Sequence, residues 1–459
     1  MIEGNTGLEF WLGLWIALIG IILFFRWKKS AVGVGLVFAY LIHFWINHWV
    51  GSLVYVFPWC SLKGYDVTVL GLQQSVYGLL AFAVGSVAVA PFLIKVFRIS
   101  KPKASYFVPH PKLPLQYIAI GLLSFFVLGP LIGRIPTVNA LVSVGVQLLI
   151  VGLCLACWKA WRERRIGALR GWLLLVLGLP FLTLLMQGFL GYGVGWLALV
   201  LTFVATFLRP RWKVIIIGLL LGYLGISFYV TYMRDRNEIR DVVWGRGSLV
   251  TRIERIYQTI RTVEWFDIHN EKHLARINDR LNQNFLVGSA VDYLTSGYHS
   301  YAQGDTLWQA VIAIVPRALW SNKPAVAGSG DIVSDYTGIG FSAGTSVGVG
   351  HVMEFYINFG TFCVVIGFLI LGTALTILDF GASQRLSQGD WYGFTLWYLP
   401  SLGLLQVGGS LAELVATTGS GLVTAILVNK FLLHRFHDRR LRTNLQKATV
   451  SARLCIPNQ

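Results

Sequence analysis

Between residues 232 and 346 arginine outnumbers lysine ten to two. Arginine offers phosphate a planar fork in fixed geometry, whereas lysine offers a point charge. Several arginines gathered at headgroup depth would suit a lipid-linked diphosphate. Arg234, Arg236 and Arg240 follow directly on an apolar run, and Arg252, Arg255 and Arg261 come next. Arg317 and Lys323 lie in VPRALWSNKP (315–324), at the end of a second, shorter apolar run. Arg234 and Arg317 stand out because each adjoins such a run. Elsewhere an arginine has the stretch's twelve acidic residues as ordinary partners. A second feature is HVMEFYINFG (351–360), where His351, Glu354 and Asn358 recur at i, i+3 and i+7 and so share one helix face. In an apolar segment that face must turn inward, because a lipid-facing carboxylate is costly. It reads either as a working site or as a hydrogen-bond network between helices.

The elements that position these groups follow from composition. The chain has 459 residues, 55% hydrophobic and 13% charged, far fewer charges than soluble domains carry. Apolar runs long enough to cross about 30 Å of hydrocarbon recur along it. They predict an all-α polytopic membrane protein with eleven spans, near 8–25, 31–51, 67–94, 113–131, 137–158, 171–190, 193–208, 214–231, 347–378, 392–409 and 411–432. Residues 1–231 thus form an eight-span bundle, 232–346 a large loop, 347–432 three further spans and 433–459 a basic tail. The N-terminus carries Glu3 and Glu9 and no basic stretch, unlike a cleavable signal peptide.

Lysine and arginine placement sets the orientation. Alternate connections carry clusters such as Arg26, Lys28 and Lys29, or Arg162, Arg164 and Arg165, while the intervening short ones offer only Lys63 and Arg134. The N-terminus is expected outside and the C-terminus inside the cytoplasmic membrane. The net charge of +17 then falls on the cytoplasmic stretches, and the 115-residue loop is neutral with twelve bases and twelve acids. The excess is a topology signal with attraction to anionic lipid heads, and not a nucleic-acid footprint. Cys154 and Cys157 form a CxxC inside an apolar span, which reads as small packing residues.

Within the loop, 248–266 places Leu249, Ile253, Ile256, Ile260 and Val263 at helical spacing, an amphipathic helix expected to lie against the bundle, with Thr251 and Glu254 as a capping box. Residues 285–301 suggest a weaker helix, and 306–320 an interfacial or re-entrant one too short to span. Residues 325–350 are rich in Gly, Ser and Thr. His43, His48, Gln73, Gln74, Gln187, Gln406 and Glu413 all fall toward the outer ends of their spans, with no polar file at mid-depth. That favours a site at the outer boundary over a conduit. Walker and HExxH motifs are absent.

IVPRALWSNKP (314–324) is similar to the Pro-Arg, aromatic, Lys-Pro stretch of Wzy-type O-antigen and exopolysaccharide repeat-unit polymerases. GHVMEFYINFG (350–360) resembles their Glu-x-Tyr-x-Asn-Phe-Gly segment, with Phe355 at the first variable position. The plan of about a dozen spans and one late outer loop is also alike. The resemblance implies glycosyl transfer on the outer leaflet, from a polyprenyl-pyrophosphate-linked oligosaccharide to a lipid-linked acceptor. Arg317, Lys323 and Arg234 would then stabilise the leaving pyrophosphate, with Arg252 and Asn358 also contacting substrate. Glu354, His351 or His299 would serve as base. No metal or cofactor is required if arginines neutralise the diphosphate. Partners would be membrane lipids, a chain-length regulator and a flippase. The alternatives are an O-antigen ligase-like transferase, a transporter or flippase, which predicts broken helices and inverted repeats, and a scaffold whose loop binds a partner.

Overall fold

The computed structural model of the chain describes residues 6–28, 33–97, 110–132, 136–208, 212–245, 247–315, 320, 322–323, 328–341 and 347–433. Among these, every regular element is helical. Among the described residues nine helices are long and apolar enough to cross a membrane: α1 (Gly7–Arg26), α2 (Leu36–Val56), α3 (Tyr65–Val96), α4 (Leu113–Leu131), α5 (Ala140–Arg162), α6 (Ile166–Gln187), α7 (Leu190–Leu208), and then α14 (His351–Ser387) and α16 (Leu411–Phe431). The chain is a membrane protein. The expected span 214–231 lies inside α8 (Trp212–Trp244), a 33-residue helix. The expected span 392–409 contains α15 (Trp391–Ser401), only 11 residues long, which carries Pro400 and passes into a short turn at Gly403–Leu405.

Five short helices fill the stretch between α8 and α14: α9 (Leu249–Arg261), α10 (Glu271–Leu281), α11 (Gln283–Thr295), α12 (Asp305–Ala313) and α13 (Ser329–Thr337). None is long enough to cross a membrane. Two details depart from expectation. Helix α9 is capped by Ser248, whose Oγ accepts from the Thr251 amide at 3.2 Å, rather than by a Thr251–Glu254 box. Of its apolar stripe only Ile256 is buried, while Leu249, Ile253 and Ile260 are exposed, so the stripe does not pack on the bundle.

The core forms around α14. It crosses α3 at Gly78, Gly85 and Gly372, where any β-carbon would overlap Phe368, the Leu369 carbonyl or the Phe82 carbonyl. Close backbone approach over small residues is how helices associate where water supplies no drive. Toward the C-terminal end of α14, Arg26 of α1 pairs with fully buried Asp379. The Asp379 Oδ1 also accepts from the Val34 and Leu36 amides at 2.9 and 3.0 Å, satisfying the first turn of α2. One carboxylate thus fastens three helices. Cys154 and Cys157 are buried in α5 as free thiols, with the Cys154 Sγ 3.7 Å from the Tyr398 hydroxyl.

Candidate functional site

The described residues between the end of α8 and the start of α14 contain no spanning helix, which places both ends on one side of the bundle. There α14 begins with His351, Glu354 and Asn358, all buried. Glu354 Oε2 accepts from the Leu411 amide at 2.6 Å, at the first turn of α16. Ser410 caps that turn reciprocally with Glu413. Two carboxylates therefore gather at one helix N-terminus, where the macrodipole favours negative charge. His351 Nδ1 is hydrogen-bonded to the Tyr40 hydroxyl at 3.2 Å, and the two rings stack. Its Nε2 is buried beside the Gln406 carbonyl without a bond of good geometry.

Asn358 donates to the Thr306 hydroxyl at 2.7 Å and to the Glu354 carbonyl at 2.6 Å, and accepts from the Gly304 amide at 3.0 Å. Immediately after it the helix breaks. Phe359 (φ −143°, ψ 32°) and Gly360 (φ 63°, ψ −152°) are non-helical, and the second conformation suits only glycine. The break frees carbonyls, and the Ala302 amide takes that of Ile357 at 2.8 Å. The Asn-Phe-Gly of the sequence motif is therefore a built interruption, with Asn358 and residues 302–304 closing the exposed end of the half-helix.

A second polar knot secures α11, which falls where the sequence suggested only a weaker helix over 285–301. Its Asn284 is fully buried. It donates to the His48 carbonyl and the Ser52 hydroxyl, both at 2.8 Å, and accepts from His48 Nδ1 at 2.7 Å and the Ser75 hydroxyl at 2.6 Å. A π-type turn at Trp45–Trp49 sets His48 in α2. The backbones of α11 and α3 touch at Gly288 and Gly71, where a β-carbon would overlap the Val67 or Asn284 carbonyl. Helix α11 thus packs directly against α2, α3 and α14.

The arginines divide in two. Arg234 spends all five donors: Nε and Nη2 on Asp235 (2.7 and 3.2 Å), Nη2 also on the Thr262 hydroxyl (2.7 Å), and Nη1 on Glu264 (2.6 Å) and the Thr262 carbonyl (3.2 Å). Arg255 pairs with Asp235 and Glu238, and Arg276 and His273 with Glu264. Burial raises the Glu264 pKa, but hydrogen bonds from Arg234 and Arg276 outweigh it and hold the group at about 2. Arg252 caps the end of α6, with Nη1 3.5 Å from the Leu185 carbonyl, and also holds the Gly247 carbonyl at 2.9 Å. Lys323 Nζ holds the Ala313 and Val315 carbonyls at the end of α12, at 3.3 and 3.0 Å. His299 is exposed, its Nδ1 2.7 Å from the Ser300 carbonyl and its ring edge-on to Tyr336. Arg317 lies outside the described residues.

The other group consists of Arg236 and Arg240, one turn apart on α8, and Arg280 on α10. None of the three forms a salt bridge among the described residues. Burial lowers the Arg236 pKa, and the neighbouring charges of Arg280 and Arg240 lower it further. Burial does the same to Arg240, with Arg280 adding to it against the pull of Tyr232. The Arg240 guanidinium lies 4.3 Å over the Phe189 ring and 5.2 Å from that of Trp244. Aromatic faces hold a cation in place without neutralising it. Sequence reasoning noted this pair on α8 but favoured Arg234. Sequence adjacency does not separate them, since Asp235 lies between Arg234 and Arg236 and Asp241 follows Arg240; what Arg236 and Arg240 share is a helix face free of acids.

Among the described residues, no three His, Cys, Asp or Glu side chains converge as metal ligands. No curated protein and no solved structure matches the chain. Residues 81–436 match the model of a family described as a domain of unknown function, DUF8712, and the chain belongs to that family.

Proposed function

We propose that the chain is a glycosyltransferase of the polysaccharide-polymerase type, working at the outer face of the cytoplasmic membrane with its N-terminus outside and C-terminus inside. The observation that carries this reading is the cluster of Arg236, Arg240 and Arg280 where α8 leaves the bundle, none of them salt-bridged among the described residues and Arg240 held over the Phe189 ring. Three mutually repelling guanidinium groups are stable together when an anion of high charge joins them, and a diphosphate offers several acceptor oxygens. Cytoplasmic placement of the basic connections puts this end of the bundle outside. In the reaction the acceptor hydroxyl attacks the anomeric carbon of the donor glycan. The bond to the diphosphate breaks with its electron pair, and the hydroxyl proton passes to a base. Glu354 is our candidate base. It is 1% exposed beneath Leu411, so the acceptor must move that cover to reach it. Arg240→Gln in correctly inserted protein should leave single-unit surface glycan and accumulated lipid-linked units. Full-length polymer from that variant, and from Arg236→Gln, would remove the cluster from the mechanism.

One observation favours a second reading. A helix broken at Phe359–Gly360 is the kind of element that builds substrate sites in transporters. If the chain moves lipid-linked units across the membrane instead, its loss should strand them on the inner leaflet. Units found on the outer leaflet support the polymerase.

A further inference from the structure

Helix α9 has three faces rather than two. Arg252, Arg255, Ile256 and Thr259 turn toward the protein, where the Thr259 hydroxyl donates to Asp235 at 2.8 Å and Arg255 bridges Asp235 and Glu238. Thr251, Glu254, Gln258 and Arg261 form an exposed polar face. Between them lies an apolar stripe that nothing covers: Leu249 (53% exposed), Val250 (74%), Ile253 (55%), Tyr257 (54%) and Ile260 (42%). A helix on a water-facing surface buries such a stripe, and a contiguous exposed one marks contact with something apolar.

The segment after α9 identifies that contact. Residues 262–267 descend along α8 toward its apolar half. Arg234 holds Thr262, the Glu264 amide donates to the Thr231 hydroxyl (2.9 Å), and the Phe266 amide donates to the Ser227 hydroxyl (3.0 Å). Lower still, the Tyr223 hydroxyl donates to the Phe266 carbonyl at 3.2 Å. Irregular backbone tolerates membrane depth only when its polar groups are met in this way. Trp265 is 60% exposed and stacks on Tyr223 with ring planes 8° apart. On α8 near Tyr223 stand Leu219, Leu220 and Leu224, exposed as lipid-facing residues of a spanning helix are. The chain thus leads from the stripe of α9 down to Trp265 and Tyr223, beside the exposed leucines of α8.

We propose that α9 and residues 262–268 form an in-plane wedge inserted into the outer leaflet, with the bilayer itself as partner. The apolar stripe lies among the upper acyl chains, the polar face meets water, and the third face carries the Arg255–Asp235–Arg234 network. Arg261, whose guanidinium lies 5.5 Å over the Tyr257 ring beside the stripe, is placed to reach lipid phosphates. The inference holds whichever reaction the chain performs.

The test uses the full chain in nanodiscs of phosphatidylcholine and phosphatidylglycerol. A bimane label is placed by Val250→Cys, Ile253→Cys or Tyr257→Cys on the stripe, and by Glu254→Cys or Gln258→Cys on the polar face, with labelling of the parent chain subtracted. Lipids brominated on the upper acyl chain should quench the stripe labels several-fold more than the polar-face labels, and iodide should show the opposite order. Equal bromine quenching on both faces overturns the proposal. So does protection of the stripe from both quenchers, which would assign it to a second copy of the chain.

Discussion

Replacing Asn284 by alanine should release α11 from the bundle. Four hydrogen bonds end on this side chain, all inside the protein: two to the His48 carbonyl and Ser52 hydroxyl, two from His48 Nδ1 and the Ser75 hydroxyl. Polar contacts between membrane helices average about 0.6 kcal/mol each and reach about 1.7. Four average bonds therefore contribute about 2.4 kcal/mol. Buried groups left unpaired would add about 1–3 kcal/mol each if nothing replaced Asn284. Two neighbours do replace it in part. The Ser52 hydroxyl already donates to the His48 carbonyl at 2.9 Å, and Ser75 lies 3.0 Å from His48 Nδ1. The expected loss is thus about 2–4 kcal/mol. Reversible unfolding in mixed micelles by dodecyl sulfate titration measures it, and limited proteolysis between α11 and α12 reports the release directly. Asn284→Asp keeps the volume, removes both donors and buries an acid, so it should cost at least as much as alanine. A loss under about 0.5 kcal/mol for Asn284→Ala, with an unchanged protease pattern, would show that α11 is held by packing alone and refute the reasoning.

The two classes of arginine should respond with opposite signs. Arg234→Gln breaks five hydrogen bonds and should lower stability by about 1 kcal/mol, allowing for solvent screening, whereas Arg240→Gln relieves repulsion and should leave the melting temperature unchanged or raised. Gly360→Ala places a β-carbon at φ 63° and ψ −152° and should cost about 1–3 kcal/mol, while Gly13→Ala on open α1 surface should not destabilise; melting of the purified variants compares them. Glu264 has a folded pKa of about 2, below its unfolded value, so its contribution is full above the ordinary glutamate range and fades as pH falls through it toward 2. Melting curves across that range should show the fade, and Glu264→Gln should flatten it.

Much of the scaffold was legible because hydropathy is a local property. The run from Ala140 to Arg162 is apolar in any context, and α5 is the helix it implies. The i, i+3, i+7 face of α14 was equally readable, since helical geometry places His351, Glu354 and Asn358 without reference to anything else. Pairings across the chain were not. Arg26 meets Asp379 and His48 meets Asn284 only after folding, and neither partner carries a sign of the other in its own neighbourhood. The same limit hid the division among the arginines. Arg234 has Asp235 beside it, but the Glu264 that completes its network arrives by a turn of chain no local pattern encodes. Helix α9 shows a different limit. Periodicity reveals that a helix has an apolar stripe but not whether protein or lipid will cover it.

The tight crossing of α11 over α3 bears on how this chain can be re-engineered. With Gly288 against Val67 and Asn284 against Gly71, the two backbones act as a lock and its key. Grafting the stretch between α8 and α14 onto another scaffold, or exchanging it between relatives to change specificity, therefore succeeds only if the matching glycine groove of α3 and the polar pocket around His48 travel with it.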